Sequence, residues 1–523
     1  MPVPPLPTES VFLCSPHAGE ARAQTRIYYA LLALVLIVVL VPLWLVDYPG
    51  MTDYPNHLAR CYILAHYFDS PVWQQRFYVD LKPIPNLGFD LIVVALARFV
   101  PILVAGKIFL SISAALFVLG SSELGKAITG RANWLALVCA FAFYNAELLM
   151  GFESFVLCIG VFLFAFAYWL RHRKRLTAWS FLICCLFSIA AFMTHLSAFI
   201  LLAAACFTVA VLDFASERKP LALLRELAWL VCPLVMMVVY MKVSGRAHAG
   251  TLDVHSLWPR FGKLSLLLSP VASYSPALKR VCEFVFPLGL LALLKGGKIH
   301  RTAIVGAVFV LMLVFTPEGL LNTSFAAERY AVPFFLVVML SIEPCWGRLQ
   351  KCGLGLIVLL MLIRVGNITT NWLEFDRESR QMLAMGDVLP RGARVFALRP
   401  IGPATSKPTS QPAGLATLSF VHVNQMWTMT HEADVSTLLA QAGQQPLIFR
   451  QPLCHTFNTV GMESMECFRG FDFVLTDDPT PPFESGVSSV ATPAATWEKM
   501  TLWRVNDPIA LCGVKTVEPC GTP

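Results

Sequence analysis

The residues best placed to do chemistry begin in one short stretch, Val46-Asp47-Tyr48-Pro49-Gly50-Met51-Thr52-Asp53-Tyr54-Pro55-Asn56-His57-Leu58-Ala59-Arg60. It follows a long apolar run directly, so its carboxylates, histidine and arginine stand where a helix leaves the bilayer. Charged groups at such a boundary stay hydrated, and a carboxylate survives there ionised at tolerable cost. Pro49 and Pro55 stop the helix and hold the backbone in a turn. That arrangement suits a reactive group facing a lipid-borne substrate. The plainer reading is a hydrated loop with a helix-capping aspartate, so the rest of the chain has to decide.

Four other turns carry unusual polar groups. One reads Tyr144-Asn145-Ala146-Glu147-Leu148-Leu149-Met150-Gly151-Phe152-Glu153-Ser154, and another Met193-Thr194-His195-Leu196-Ser197. A long loop over 244–280 contains several basic residues and histidines, among them Lys263, and the turn over 317–330 ends in Glu328-Arg329-Tyr330. Each has a bland counterpart. Glu147 fits a cap within a re-entrant turn, His195 a satisfied polar residue at a helix start, Arg329 a headgroup anchor. Their convergence on one side shifts the balance, because ionisable groups within or beside spans are costly and default to functional candidates.

The elements that must position these groups are apolar. The chain has 523 residues, 56% hydrophobic and 14% charged, against roughly 25% charged in a soluble domain. Runs near the ~20 residues that cross a bilayer recur throughout. The net charge of +7 does not point to nucleic acid, since basic residues cluster between apolar runs rather than on one face. Residues 1–26 form a polar, Pro-rich tail ending in Arg22 and Arg26, and Ile27–Val46 is too long for a signal-peptide core.

Arg22 and Arg26 place the N-terminus in the cytoplasm and Asp53 outside. Leu87–Ala105 contains Asp90, Arg98 and Pro101 and is read as an interfacial segment, part of the first outer loop over 47–107. Spans are then expected at 108–122, 132–144, 155–170, 177–192, 196–212, 221–243, 281–294, 302–315, 330–342 and 354–370. With the first, this gives about eleven, and every inner turn is basic, Arg171-His172-Arg173-Lys174-Arg175 most of all. Another span would put that cluster outside.

From Trp372 the long apolar runs stop. Residues 372–523 are enough for a soluble extracytoplasmic α/β domain. Strands are expected at Arg394–Leu398, Phe471–Thr476 and Thr501–Val505, and a helix at Glu432–Ala442. Four of the fifteen cysteines, Cys454, Cys467, Cys512 and Cys520, fall in this domain. An even number outside the cytoplasm suits disulfides, with neighbours suggesting 454–467 and 512–520 although three connectivities are possible. No Cys-x-x-Cys, Walker loop, dinucleotide fingerprint, zincin motif or nucleophile elbow occurs where it would work.

This arrangement resembles the GT-C glycosyltransferases, among them protein O-mannosyltransferases and aminoarabinose transferases. The shared features are an N-in first span, an early Asp in a long outer loop, an interfacial segment, an acidic second outer loop and a C-terminal outer domain. Glu328-Arg329-Tyr330-Ala331-Val332-Pro333 looks like the Arg-Tyr-x-x-Pro opening of a late span in such enzymes, and Trp372–Val395, with its Leu389-Pro390-Arg391-Gly392-Ala393-Arg394-Val395, like the bridge to their outer domain. Glu147 and Glu153 stand where many members use Asp, and no donor-binding lysine aligns.

The resemblance implies a bacterial inner-membrane enzyme moving a sugar from a polyprenyl-phosphate carrier to an envelope glycan, lipid or protein acceptor. Asp53 would be the general base of an inverting displacement, with Glu147 positioning the acceptor or sharing a divalent cation (Mg or Mn) with it. Arg329 would meet the leaving phosphate, and His57, Glu153, His195 and Tyr330 would line the substrate site. A transporter or flippase of an envelope precursor and a non-catalytic assembly protein are the competing readings. Transporters tend to show internal repeats and midplane ionisable groups, neither of which is found here.

Overall fold

A computed structural model describes residues 18–243, 261–317, 325–397, 420–440, 444–450, 470–477, 486–506 and 508. The four cysteines of the expected disulfides lie outside the described residues, as does the loop over 244–260.

The first apolar run forms α1 (Ala18–Leu45). The loop after it then folds into α2 (Tyr54–Ala65), α3 (Pro71–Arg76), β1 (Phe77–Val79) and α4 (Gly88–Leu96). Pro55 and Pro71 each sit in the first turn of their helix, where a missing N–H costs nothing. The segment expected to lie in the interface, Leu87–Ala105, divides between two helices. Its first half is the nine-residue α4, too short to span, but Pro101 ends that segment and caps α5 (Ile102–Thr129), so the last residues of 87–105 belong to a 28-residue helix.

The third expected span is broken. It forms α6 (Leu135–Ala140), a 3-10 turn and then, beyond Asn145, the short α7 (Ala146–Met150). Asn145 accepts the Leu148 N–H and restarts the helix. Next come α8 (Glu153–His172), α9 (Ala178–Thr194), α10 (Leu196–Glu217), α11 (Pro220–Leu227) and α12 (Val231–Val243). A 3-10 stretch (Phe261–Val271) leads to α13 (Pro276–Leu294), β2 (Lys298–Ile299), α14 (Ala303–Phe315), α15 (Ala331–Leu340) and β3 (Ile342–Glu343). The last apolar helix, α16, runs unbroken from Arg348 to Leu383, through the change of composition at Trp372.

Among the described residues six helices have the length and composition to cross a bilayer: α1, α5, α8, α10, the α11–α12 run and α16. Other expected spans are shorter apolar helices, α9 and α14 among them. The bundle is built around α5 and α8. A Cβ on Gly160 would fall 2.7 Å from the Leu116 Cβ, so glycine is what lets these two backbones approach. Phe117, Val156, Ile159 and Leu163 fill the seam.

The C-terminal region builds a five-stranded sheet ordered β5-β4-β7-β9-β8 from β4 (Arg394–Ala397), β5 (Asp434–Val435), β7 (Phe473–Asp477), β8 (Ala491–Trp497) and β9 (Met500–Val505). β5, β4 and β7 run parallel, while β9 pairs antiparallel with β7 and β8. The remaining elements are α17 (Trp427–His431) and β6 (Leu447–Phe449), and β6 pairs antiparallel with β1 of the loop after α1. Strands form at all three expected places, but the described residues 432–440 of the expected helix at Glu432–Ala442 form no helix. Glu432 adopts φ 51°, closing α17, and Asp434–Val435 is drawn into the sheet beside Arg394–Val395. Sheet pairing overrides the local helix preference.

Candidate functional site

The loop after α1 is held from three directions. Its start is gripped by the extension of α16: Asp376 accepts the backbone N–H groups of Asp47 (2.8 Å) and Tyr48 (2.7 Å), and Arg380 pairs with Asp47. Lys107 of α5 reaches Asp47 at 3.3 Å. Its middle docks on α7, where Thr52 N–H donates to the Leu149 carbonyl (3.3 Å) and Asp53 N–H to that of Met150 (3.1 Å). Its third contact is the C-terminal domain. Asn56 bonds Thr437 and Leu439, Arg60 reaches the Leu439 carbonyl, and β1 joins β6.

Asp53 occupies the N-cap position of α2, yet its side chain makes no capping bond. The carboxylate instead faces His422 of the C-terminal domain, Oδ1 to Nε2 at 3.4 Å. One turn on, His57 Nδ1 lies 2.8 Å from Glu153 Oε2, but off the line that an N–H bond needs. Both Glu153 oxygens are buried without a hydrogen-bond partner, as is the nearby Tyr54 hydroxyl. His57 also packs edge-on against Phe89.

Glu147, His195 and Arg329 form a second group. Arg329 Nη1 donates to His195 Nε2 at 2.9 Å, and its guanidinium lies over the rings of Phe152 and Phe155. Burial, with the arginine charge beside it, holds His195 well below the usual imidazole range, so it stays neutral and accepts. Burial brings Arg329 down to about 10, which leaves it charged at neutral pH. Glu147 is pushed up to about 8 by burial and by Glu328, against the pull of Ser269 and Arg329. Ser269 donates to Glu147 Oε1 at 3.3 Å, while Glu147 Oε2 and Arg329 Nε are buried without a hydrogen-bond partner. A buried charged nitrogen beside a protonated acid and aromatic rings is suited to an anionic oxygen and its attached group.

The two groups meet at the Phe152–Phe155 segment, which presents Glu153 to His57 and its phenyl rings to Arg329. Tyr330 turns aside to bond Thr316 and braces this end of α14. Among the described residues no three His, Cys, Asp or Glu side chains stand together as metal ligands. Glu147 has Ser269, Glu328 and Arg329 as polar neighbours.

Three structural features escaped the sequence reading. His422 and Asn56 form one, separated by 366 positions and joined at 3.1 Å. The second is the buried pair of Arg60 and Asp90, bidentate at 2.7 and 3.1 Å, which ties α2 to α4. The third is Arg364, wholly buried in α16 and donating to the carbonyls of Phe141, Tyr144 and Ala272. Asp90 and Arg364 did carry a signal, being ionisable residues inside apolar runs.

No family model matches the chain, and neither does any curated protein. Solved structures do. The crystal structure of ArnT from Cupriavidus metallidurans in the apo state superposes with a TM-score of 0.55 at 11% identity, covering 92% of this chain and 98% of that one. The same protein bound to undecaprenyl phosphate gives 0.50 at 10% identity, covering 95% and 100%. Almost the whole length of both chains is shared, so the protein has the fold of ArnT.

Proposed function

We propose that the protein is a multi-pass membrane glycosyltransferase that moves a sugar from a polyprenyl-phosphate carrier to an envelope acceptor. The observation that carries this reading is the gathering of Asp53, Glu147, His195 and Arg329 at one end of a bundle with the fold of ArnT. The undecaprenyl phosphate in the second ArnT structure supports the carrier class. In this reading residues 27–371 form the membrane domain, residues 1–26 are cytoplasmic, and residues 372–523 face the periplasm across the inner membrane.

Asp53 takes the proton of the acceptor hydroxyl as its oxygen attacks the anomeric carbon. The carbon–phosphate oxygen bond breaks on the opposite side, and the polyprenyl phosphate leaves with the bonding electrons, so configuration inverts. Arg329 stabilises that phosphate, held in place by neutral His195 and its aromatic neighbours. Protonated Glu147 donates to an acceptor or sugar oxygen. His57 and Glu153 form the inner wall beside Asp53.

The test is to reconstitute the full chain in liposomes with undecaprenyl-phosphate pentose and hexose donors and an envelope lipid extract. Release of undecaprenyl phosphate coupled to acceptor glycosylation is expected. Movement of the intact donor across the bilayer without release would instead establish a flippase.

A further inference from the structure

We infer that the C-terminal domain completes the reaction site: His422, fixed as one tautomer by Asn56, holds the Asp53 carboxylate in its working orientation. The inference rests on Asp53 being the base of the proposed transfer, and it makes His422 a positioning residue.

Asn56 sets the geometry. Leu439 N–H donates to its Oδ1 at 2.7 Å, which identifies the oxygen end of the amide. Nδ2 therefore lies on the other side, where one hydrogen goes to the Thr437 carbonyl at 2.7 Å. The second points at His422 Nδ1, 3.1 Å away. A ring nitrogen that receives an N–H must present its lone pair. The imidazole then carries its single hydrogen on Nε2, the atom 3.4 Å from Asp53 Oδ1. Protonating Nδ1 as well would set two N–H groups against each other among buried atoms.

The consequence concerns the aim of the base. The backbone of Asp53 is fixed by the Met150 carbonyl and by its own carbonyl accepting the His57 N–H. Only the side-chain torsions remain, and a donor on Oδ1 restricts them. The 3.4 Å separation is long for a hydrogen bond, and such contacts tighten when substrate closes the site. Asn56 stands three residues after Asp53 on α2, so both meet one face of the C-terminal domain. Asn56 fixes the imidazole as a carboxylate fixes a metal-bound histidine, by occupying its far nitrogen.

Two measurements on the full chain in nanodiscs test this. The first needs no turnover: nitrogen-15 histidine spectra at neutral pH, with His422→Gln identifying the signal. A neutral ring protonated on Nε2 is expected, and an Nδ1-protonated or doubly protonated His422 overturns the inference. The second compares His422→Gln, whose amide keeps a donor toward Asp53, with His422→Phe, which does not. Turnover of the undecaprenyl-phosphate donors is expected to fall on the order of 10- to 100-fold in the phenylalanine variant, with KM within about 2-fold, and to recover in the glutamine variant. Equal turnover in wild type and His422→Phe overturns the positioning role. Wild-type protein that binds donor yet never releases undecaprenyl phosphate fails the transferase reading instead, and the spectra still report on the tautomer.

Discussion

Gly151→Ala tests how the site is assembled, because the effect is set by a contact rather than by the residue's chemistry. Gly151 has φ +91°, and a Cβ there would fall 2.6 Å from the Asp53 nitrogen and 2.8 Å from that of Tyr54. A left-handed conformation costs a non-glycine residue roughly 1–2 kcal/mol. Relieving the clash pushes Thr52–Tyr54 off α7 and weakens two backbone hydrogen bonds, each worth about 0.5–1.5 kcal/mol net. The summed local cost is about 2–5 kcal/mol, met by moving Asp53 by roughly 0.8 Å to reach ordinary contact. A shift of that size at a reacting group costs on the order of 100-fold in rate.

Gly130→Ala is the matched control. It has φ +76° at the end of α5 with no atom within 4 Å of its added Cβ, so it bears the strain without the clash. Thermal unfolding in detergent and undecaprenyl-phosphate release are to be measured for both variants. Both are expected to lose some stability, and only Gly151→Ala to lose most of its turnover. Equal turnover in the two would refute the idea that α7 docking places Asp53.

Other perturbations separate structural from chemical roles. Arg60→Met or Asp90→Asn alone strands a buried charge and is expected to destabilise by about 3–5 kcal/mol in denaturant or thermal assays, whereas Arg60→Met with Asp90→Leu costs less than either. Glu147 is protonated in the folded chain up to about pH 8 and ionises near 4.5 when unfolded. The folded state thus binds the extra proton between those values, and its stability contribution, complete below 4.5, is lost as pH rises through 8. Melting temperatures from pH 5 to 8 are expected to fall less steeply in Glu147→Gln. Arg329→Met is expected to weaken undecaprenyl phosphate binding, followed by native mass spectrometry, by at least about 10-fold, consistent with loss of a charge-assisted hydrogen bond.

What the sequence discloses and what it hides follow from the range of the interactions. The apolar runs and the basic turns between them are local patterns, and they mark out the helices and the side of the bundle that collects Asp53, Glu147, His195 and Arg329. The end of each helix is less legible. Nothing local at Trp372 announces that α16 continues to Leu383, because its extension is stabilised by gripping Asp47 and Tyr48, more than three hundred residues earlier. The same applies to Glu432–Ala442, whose composition favours a helix until β4 offers a strand partner. His422 is the extreme case. It lies in no periodic segment, and its importance arises only when the C-terminal domain closes on α2.

The account turns on Asp53, and the most direct measurement is single-turnover transfer from an undecaprenyl-phosphate sugar by wild type and Asp53→Asn in the same nanodiscs. The amide keeps the shape of the side chain and removes its basicity. The account predicts that Asp53→Asn folds, binds undecaprenyl phosphate as wild type does, and transfers sugar on the order of 100- to 10,000-fold more slowly. Transfer at the wild-type rate would contradict it.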